Sequence, residues 1–249
     1  GGFGGKIPRH MAVAGAAAVA AAALRAPVMV CNERVDDLVM TGGREEMIVE
    51  YDAAYGADGV VHALRMELPC NMGWYVGESA GSLAMAVAFS DNAYFTPHYK
   101  AVGRPFTADV APNAAARAPG VVQSILAHEV VMEHVARSLG LPMDVVQERN
   151  FYRAGQRTPA GVVIGSATHE WTLPALWSQM KAETDFAARK AAVADFNAAN
   201  RWRKRGVSIA PVRYGIGTGF YKSGALVNIY PDGTVLVAHG GVEVGQGLS

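Results

Sequence analysis

Two glycine-rich strings carry the first hint of chemistry, Gly1-Gly2-Phe3-Gly4-Gly5-Lys6 and Gly240-Gly241-Val242-Glu243-Val244-Gly245-Gln246-Gly247. Closely spaced glycines let the backbone approach a ligand and turn successive N–H groups toward it. A helix is expected just after the first string, and a helix N-terminus favours an anion such as an oxo group or phosphate. A nucleotide P-loop is ruled out, because that motif needs Ser or Thr after Gly-Lys and here Ile7 and Pro8 follow. Taken alone, the first string has a plain tight turn as its alternative. The second follows an expected strand, so its glycines fall where α/β proteins commonly place ligands. A simple turn explains two glycines there, but not four with a Glu and a Gln among them.

A third element is Asn113-Ala-Ala-Ala-Arg117-Ala-Pro119-Gly120, just before a long predicted helix. Arg117 then sits close to that helix's N-terminus, able to hold an anionic group, with an ordinary surface arginine as the alternative. Other constellations fail. His128-Glu129 and His134 do not make the helical zinc motif, which needs His where Met132 stands, and their spacing puts the two imidazoles on different helix faces. These histidines are expected to be structural or solvated. Asp36-Asp37 and Glu45-Glu46 are expected to be exposed loop acids. Cys31 and Cys70 match no zinc or iron–sulfur spacing and are expected to be free, buried thiols. Any iron–sulfur centre must belong elsewhere.

The elements that must position these residues follow from pattern. Acidic and basic residues balance at 22 each, which gives no electrostatic reason to expect nucleic acid or an anionic membrane as partner. The densest basic stretch, Arg201-Trp202-Arg203-Lys204-Arg205, is expected to be a solvated helix end. The 14-residue apolar run Met11–Leu24 is shorter than the roughly 20 residues a bilayer needs. A buried, Ala-rich helix packed through small side chains is expected there, rather than a secretory signal. Pro27–Cys31 is expected to be a short buried strand. Met47–Tyr51 and Val60–Leu68 follow as strands, joined through an Asp58-Gly59 hairpin turn. Alternation puts Val61, Ala63, Arg65 and Glu67 on one face and Val60, His62, Leu64, Met66 and Leu68 on the other. Residues 73–90 form a loop leading into a short helix. Helical spacing over Val121–Leu139 (Val122, Ile125, Leu126, Val130, Val135, Leu139) is stopped by Gly140, with a second helix over Pro142–Asn150. Helix returns over Leu173–Arg203. Gly224–Tyr230, Pro231-Asp-Gly233 and Thr234–His239 make a clear closing hairpin. The fold class is mixed α and β (α+β), with two packed subdomains at roughly 1–140 and 141–249. Both ends fall inside glycine turns, so an internal piece of a longer protein is expected.

Taken in order, these pieces resemble the xanthine dehydrogenase and aldehyde oxidase family of molybdenum hydroxylases. The opening glycine string is similar to that family's cofactor loop, and Asp37-Leu-Val-Met-Thr-Gly-Gly-Arg44 to its Asp-Met-x-x-Thr-Gly stretch. Asp91-Asn-Ala-Tyr94, Gln147-Glu-Arg-Asn-Phe151, Arg203-Lys-Arg-Gly206 and His239-Gly-Gly-Val-Glu-Val-Gly-Gln-Gly247 occur at the family's spacing. The resemblance implies that Gly1, Gly2, Phe3 and Gly4 contact a molybdenum–molybdopterin cofactor near the metal. Phe3 and Arg117 would be neighbours of molybdenum, not ligands, while the Val244 backbone, Gly245 and Gln246 would hold the pterin or phosphate end. It implies oxidation of an aldehyde carbon or of a carbon beside nitrogen in a small heterocycle such as a purine. It further implies 2Fe–2S clusters and FAD in the full-length protein, which would be a cytoplasmic homodimer. The family's base, a glutamate, lies outside this sequence, so no catalytic residue is assigned and the piece alone is expected to be inactive.

Departures bear on substrate. Ile7 stands where xanthine-oxidising members carry a purine-binding glutamate, and Met85 lies near the position of their arginine. Without both anchors the pocket is apolar, as in the aldehyde oxidase branch. Pro119 and Thr218 fall at or near the positions of two aromatics that sandwich the substrate ring. Glu45-Glu46 replaces the family's His-Pro. The alternatives are a diverged, non-catalytic homologue and a scaffold domain whose glycine turns are merely structural.

Overall fold

The Asp58-Gly59 hairpin frames the molecule. In the computed structural model, which describes residues 2–7, 9–166, 170–214, 224–243 and 245–248, β1 (Glu50–Tyr55) runs antiparallel to β2 (Val61–Asn71). The turn forms because Gly59 adopts φ 82° and Asp58 Oδ1 accepts the Val60 N–H at 3.1 Å. Tyr55 pairs with Val61 but Ala54 with Ala63, so His62 is an extra residue bulged out of the ladder. The bulge reverses the expected side for Val61, which joins Leu64, Met66, Leu68 and Cys70 in the interior while His62 is exposed.

β3 (His98–Phe106) pairs in parallel with β2, giving the order β1-β2-β3. Pattern gave no sign of it, since Gly103 and Pro105 interrupt its alternation. Between β2 and β3 the chain forms α3 (Ser79–Ala88), the short helix expected after the Gly-rich loop. Gly103 allows this helix to lie close: a Cβ there would come within 2.8 Å of the Leu83 side chain.

The two central helices, α4 (Val121–Leu139) and α5 (Met143–Asn150), form as predicted, with Gly140 at φ 65° ending α4. The buried side of α4 is not the predicted stripe. Val121, Ser124, Ala127, His128, Val131, Met132, Val135 and Ala136 face inward, while Val122 and Leu126 are exposed. α4 is apolar on more than one side, and the inward side also carries His128 and Glu129 because both find partners there. The core unites β2, α3, α4 and α5 with Tyr94, Phe151 and Trp177. Trp177 comes from α6 (Leu173–Glu183), which leads into α7 (Phe186–Ala199). These two helices fill most of the stretch where helix was expected, but α7 stops at Ala199, so residues 201–205 are exposed chain beyond the helix rather than its end. Lys181 and Lys190 clamp Asp144 at 2.9 and 2.6 Å and flank the Phe186 ring. The closing hairpin also forms as predicted, from β4 (Ala225–Ile229) and β5 (Val235–His239). The mixed α and β class holds.

Three expectations are corrected. The Ala-rich segment is helical, as α1 (His10–Leu24), but none of its residues is buried. A run of alanines has no distinct apolar face, and each methyl buries too little area to draw the helix onto the core. Pro27–Cys31 is extended, unpaired and largely exposed, with Met29 at 91 %. Both cysteines are free, but only Cys70 is buried. Burial pushes its thiol up to about 11, and the nearby Glu45 adds to the shift.

Candidate cofactor site

The opening string folds into a tight turn in which Gly5 N–H donates to Gly2 O at 2.9 Å and Ile7 N–H to Gly4 O at 3.2 Å. Phe3 and Gly4 both take positive φ, 48° and 95°. Only glycine enters that region without strain, so a side chain at position 4 would be opposed by the backbone itself. Phe3 O accepts the Arg117 N–H at 2.8 Å, and the Arg117 guanidinium lies 5.4 Å from the centre of the Phe3 ring. Residues 114 positions apart in sequence are thereby locked together.

The loop that carries Arg117 is fastened on several sides. Asn113 Nδ2 donates to Asn71 O at 2.8 Å, and Ala114 N–H to Gly43 O at 2.9 Å. Arg9 reaches the carbonyls of Pro112 and Asn113, and Arg44 those of Ala116 and Arg117. Gly42 (φ 69°) and Gly73 (φ 74°) make room for it: a Cβ would meet Pro112 O at 2.2 Å and Ala111 O at 2.5 Å. The Asp37–Arg44 string therefore has a structural task. It supplies the second half of α2 (Arg34–Thr41), followed by Gly42, Gly43 and Arg44, which grip this loop. The Arg117 backbone is fixed while its side chain remains exposed.

Asp36 and Asp37 stand in the first turn of α2 rather than in a loop, where the helix dipole favours acids. Asp37 pairs with Lys6 of the opening turn and with Arg34 at 3.1 Å. Its hydrogen bond from Lys6 holds its carboxyl below the usual carboxylate range. Glu45 is a correction: it is 3 % exposed, not a loop acid in solvent, and neither carboxylate oxygen has a partner among the described residues. Gln123 Nε2 holds the Glu45 carbonyl to α4 at 3.1 Å, which draws the residue inward. Glu46 is exposed, as expected.

Of the residues assigned to a substrate pocket, Ile7 is 55 % exposed, Met85 is half-buried on α3, and Pro119 is half-buried beside Gly120. Gly120 presses on α3 so closely that a Cβ would fall 1.9 Å from Ser82 O. Contacts thus run without a break from the opening turn through the Arg117 loop to α3. Gly1, Val244 and Thr218 lie outside the described residues.

The closing string carries its own set of internal hydrogen bonds among the described residues. Gly245 and Gly247 take φ 101° and 81°. Glu243 Oε1 accepts the N–H groups of Gly245 at 2.5 Å and Gly247 at 3.1 Å, and its Oε2 accepts that of Leu248. Gln246 Nε2 donates to Val242 O at 2.7 Å. None of these bonds joins the closing turn to the opening one. The structure brings Phe3, Gly4 and Arg117 together, with the closing turn tied separately.

Sequence reading missed a buried polar network. Glu129 on α4 accepts hydrogen bonds from Tyr94 Oη (2.7 Å), Asn92 Nδ2 (3.0 Å) and Gln147 Nε2 (2.7 Å). The same two amides donate to the carbonyls of Pro211 and Ile209. Arg213 pairs with Asp91 at 2.5 Å, and Tyr152 donates to the other Asp91 oxygen at 2.7 Å. Burial raises both carboxyls, Asp91 against the pull of Arg213 and Glu129 against its three donors. Asn150 secures the hairpin, accepting from Val61 N–H and donating to Gly59 O, both at 2.8 Å. Asp91–Tyr94 and Gln147–Phe151 are thus straps that fasten residues 209–213 to α4 and α5. His128 is structural, as expected: it is fully buried, bonds Ser90 O at 2.7 Å, and is pushed down to about 4 by burial. No metal-holding cluster of His, Cys, Asp or Glu occurs among the described residues.

Family models described as "Molybdopterin cofactor-binding domain" match residues 1–151 and 179–249. The chain belongs to the xanthine dehydrogenase and aldehyde oxidase family. Within that family it is 37% identical over 252 residues to the xanthine dehydrogenase of Drosophila subobscura and 33% identical over 252 residues to the nicotinate hydroxylase of Emericella nidulans. Each alignment covers 100% of this chain and 18% of the relative, so the chain spans under a fifth of their length. The fold is that of the aldehyde oxidoreductase of Desulfovibrio desulfuricans, with a TM-score of 0.80 at 24% identity over 94% of this chain and 25% of that one. The strings that resemble the family's motifs therefore stand in this chain as a packed turn beside Arg117, a set of straps, and a closing turn braced by Glu243.

Proposed function

We propose that this chain forms part of the molybdopterin-holding region of a longer oxidoreductase, which hydroxylates aldehydes or small N-heterocycles. The observation that carries this reading is the lock between the opening turn and Arg117, which sets an exposed cation beside a glycine backbone. That combination suits an anionic, oxo-rich group. Gly1, Gly2, Phe3, Gly4 and Arg117 would hold the molybdenum end, and Val244, Gly245 and Gln246 the pterin or phosphate end. A Cβ at Gly240 or Gly247 would meet nothing within 4 Å, so the closing backbone is open to close approach. When bound, the cofactor supplies the redox chemistry; these residues supply position and charge.

Ile7, Met85, Pro119 and Thr218 would line an apolar substrate pocket, and iron–sulfur clusters and FAD would come from the rest of the protein. A homodimer in the cytoplasm fits this assignment, as do subdomains at roughly 1–140 and 141–249; no described helix is long and apolar enough to cross a membrane. The bare apolar side chains of β4 and β5, such as Leu226, Ile229 and Val235, suit a segment covered by further chain. A second reading, a non-catalytic homologue that keeps the cofactor region, is favoured by Ile7, Pro119 and Thr218. Full-length protein purified from a host that makes the cofactor is expected to contain about one molybdenum and one pterin per protomer. A metal-free, pterin-free preparation from that host would overturn the proposal.

A further inference from the structure

We propose that Glu243 is a positioning residue, one whose carboxylate sets the shape in which the closing turn meets the cofactor. The inference rests on the cofactor reading above. Gly245 and Gly247 leave the turn's backbone with more freedom than other residues would. Two left-handed glycines two residues apart do not by themselves specify a conformation. The carboxylate does, because the N–H groups of Gly245, Gly247 and Leu248 all converge on its two oxygens. Hydrogen bonds to a charged acceptor are the stronger kind, and three of them share one anchor. Gln246, between the two glycines, is tied back to Val242 O at 2.7 Å in that same shape. Glu243 therefore does not stand in for an anion that must later displace it; it is the internal brace of the turn. Glu243 is exposed and is not among the core residues, so removing the brace loosens the turn and leaves the fold intact.

The test uses full-length protein from a cofactor-producing host, as wild type, Glu243→Ala and Glu243→Gln. Molybdenum is measured by elemental analysis, released pterin by fluorescence, and the thermal midpoint of cofactor-free protein separately. Glu243→Ala is expected to lower retained pterin about tenfold, equivalent to the loss of one strong hydrogen bond or more. Glu243→Gln keeps one acceptor oxygen and is expected to fall between the two. The cofactor-free midpoints are expected to agree, which a general folding role would not give. Wild type and Glu243→Ala retaining pterin equally would overturn this inference alone, as would tighter retention by Glu243→Ala, the mark of a displaced plug. Should Glu243→Ala not fold, Glu243→Gln decides, with reduced retention supporting the brace and wild-type retention overturning it. Wild type without pterin would overturn the cofactor reading itself.

Discussion

Xanthine is expected to be a poorer substrate than an aromatic aldehyde for the full-length protein, by about 100-fold or more in kcat/KM. The difference begins at the opening turn. Ile7 offers no hydrogen bond, and it projects from the turn that carries Phe3, Gly4 and the contact to Arg117. Met85 on α3 is equally unable to meet a polar ring edge. If Ile7 and Met85 line the substrate pocket as proposed, a purine held there would give up water at two edges without replacement, at about 1–3 kcal/mol for each unsatisfied group. Two such losses correspond to between about 30-fold and about 20,000-fold. An aldehyde has one polar atom, and it faces the reaction centre rather than the pocket wall. Glu at position 7, introduced as Ile7→Glu, is expected to shift the ratio toward xanthine by about tenfold. Steady-state rates on both substrates check this, and equal efficiencies in the wild type would refute the apolar pocket.

Loss of the Glu129 side chain is expected to destabilise the chain by about 2–4 kcal/mol, since a buried neutral donor left without its acceptor costs about 1–3 kcal/mol and two further bonds are lost with it. Glu129→Ala would strand Tyr94 Oη and remove one bond each from Asn92 Nδ2 and Gln147 Nε2 in the interior. The effect spreads, because Asn92 and Gln147 also fasten the carbonyls of Pro211 and Ile209. Denaturant unfolding measures the loss, and a change below about 1 kcal/mol would show that the network is not a strap. The pH dependence follows from the direction of the shift. Burial raises the Glu129 carboxyl, so the folded state binds its proton more tightly than the unfolded one. Its contribution to stability therefore falls as pH rises from the unfolded carboxylate range into the raised folded one. Glu129→Gln should abolish that slope.

Local chemistry made much of the fold legible. Asp58-Gly59 and Pro231-Asp-Gly233 announce hairpins because their residues relieve turn strain, and Gly140 ends α4 for the same reason. Features that depend on neighbours were not legible. β3 shows no alternation, α1 is as apolar as a core helix yet lies uncovered, and the bulge at His62 reverses Val61. Glu45 looked like half of an exposed acid pair, and nothing local reveals that Gln123 pins it inward. The site divides similarly. Family resemblance pointed to Phe3 and Arg117, and their contact joins segments whose sequence separation hides it. Asn92 and Gln147 stand in strings that resemble family motifs, Glu129 only in a failed zinc pattern and Arg213 in no pattern at all, since their meeting is a product of packing. The glutamate inside the closing glycine string was visible, but not that it folds back on three N–H groups.

On the proposed reading, the opening turn and Arg117 mark the molybdenum end of the cofactor. An anomalous difference map at the molybdenum absorption edge, from crystals of the cofactor-loaded full-length protein, measures that place directly. The account predicts a single molybdenum peak in the space bordered by Phe3, Gly4 and the Arg117 guanidinium, with the pterin reaching Gly245 and Gln246. A peak remote from both Phe3 and Arg117 would contradict it.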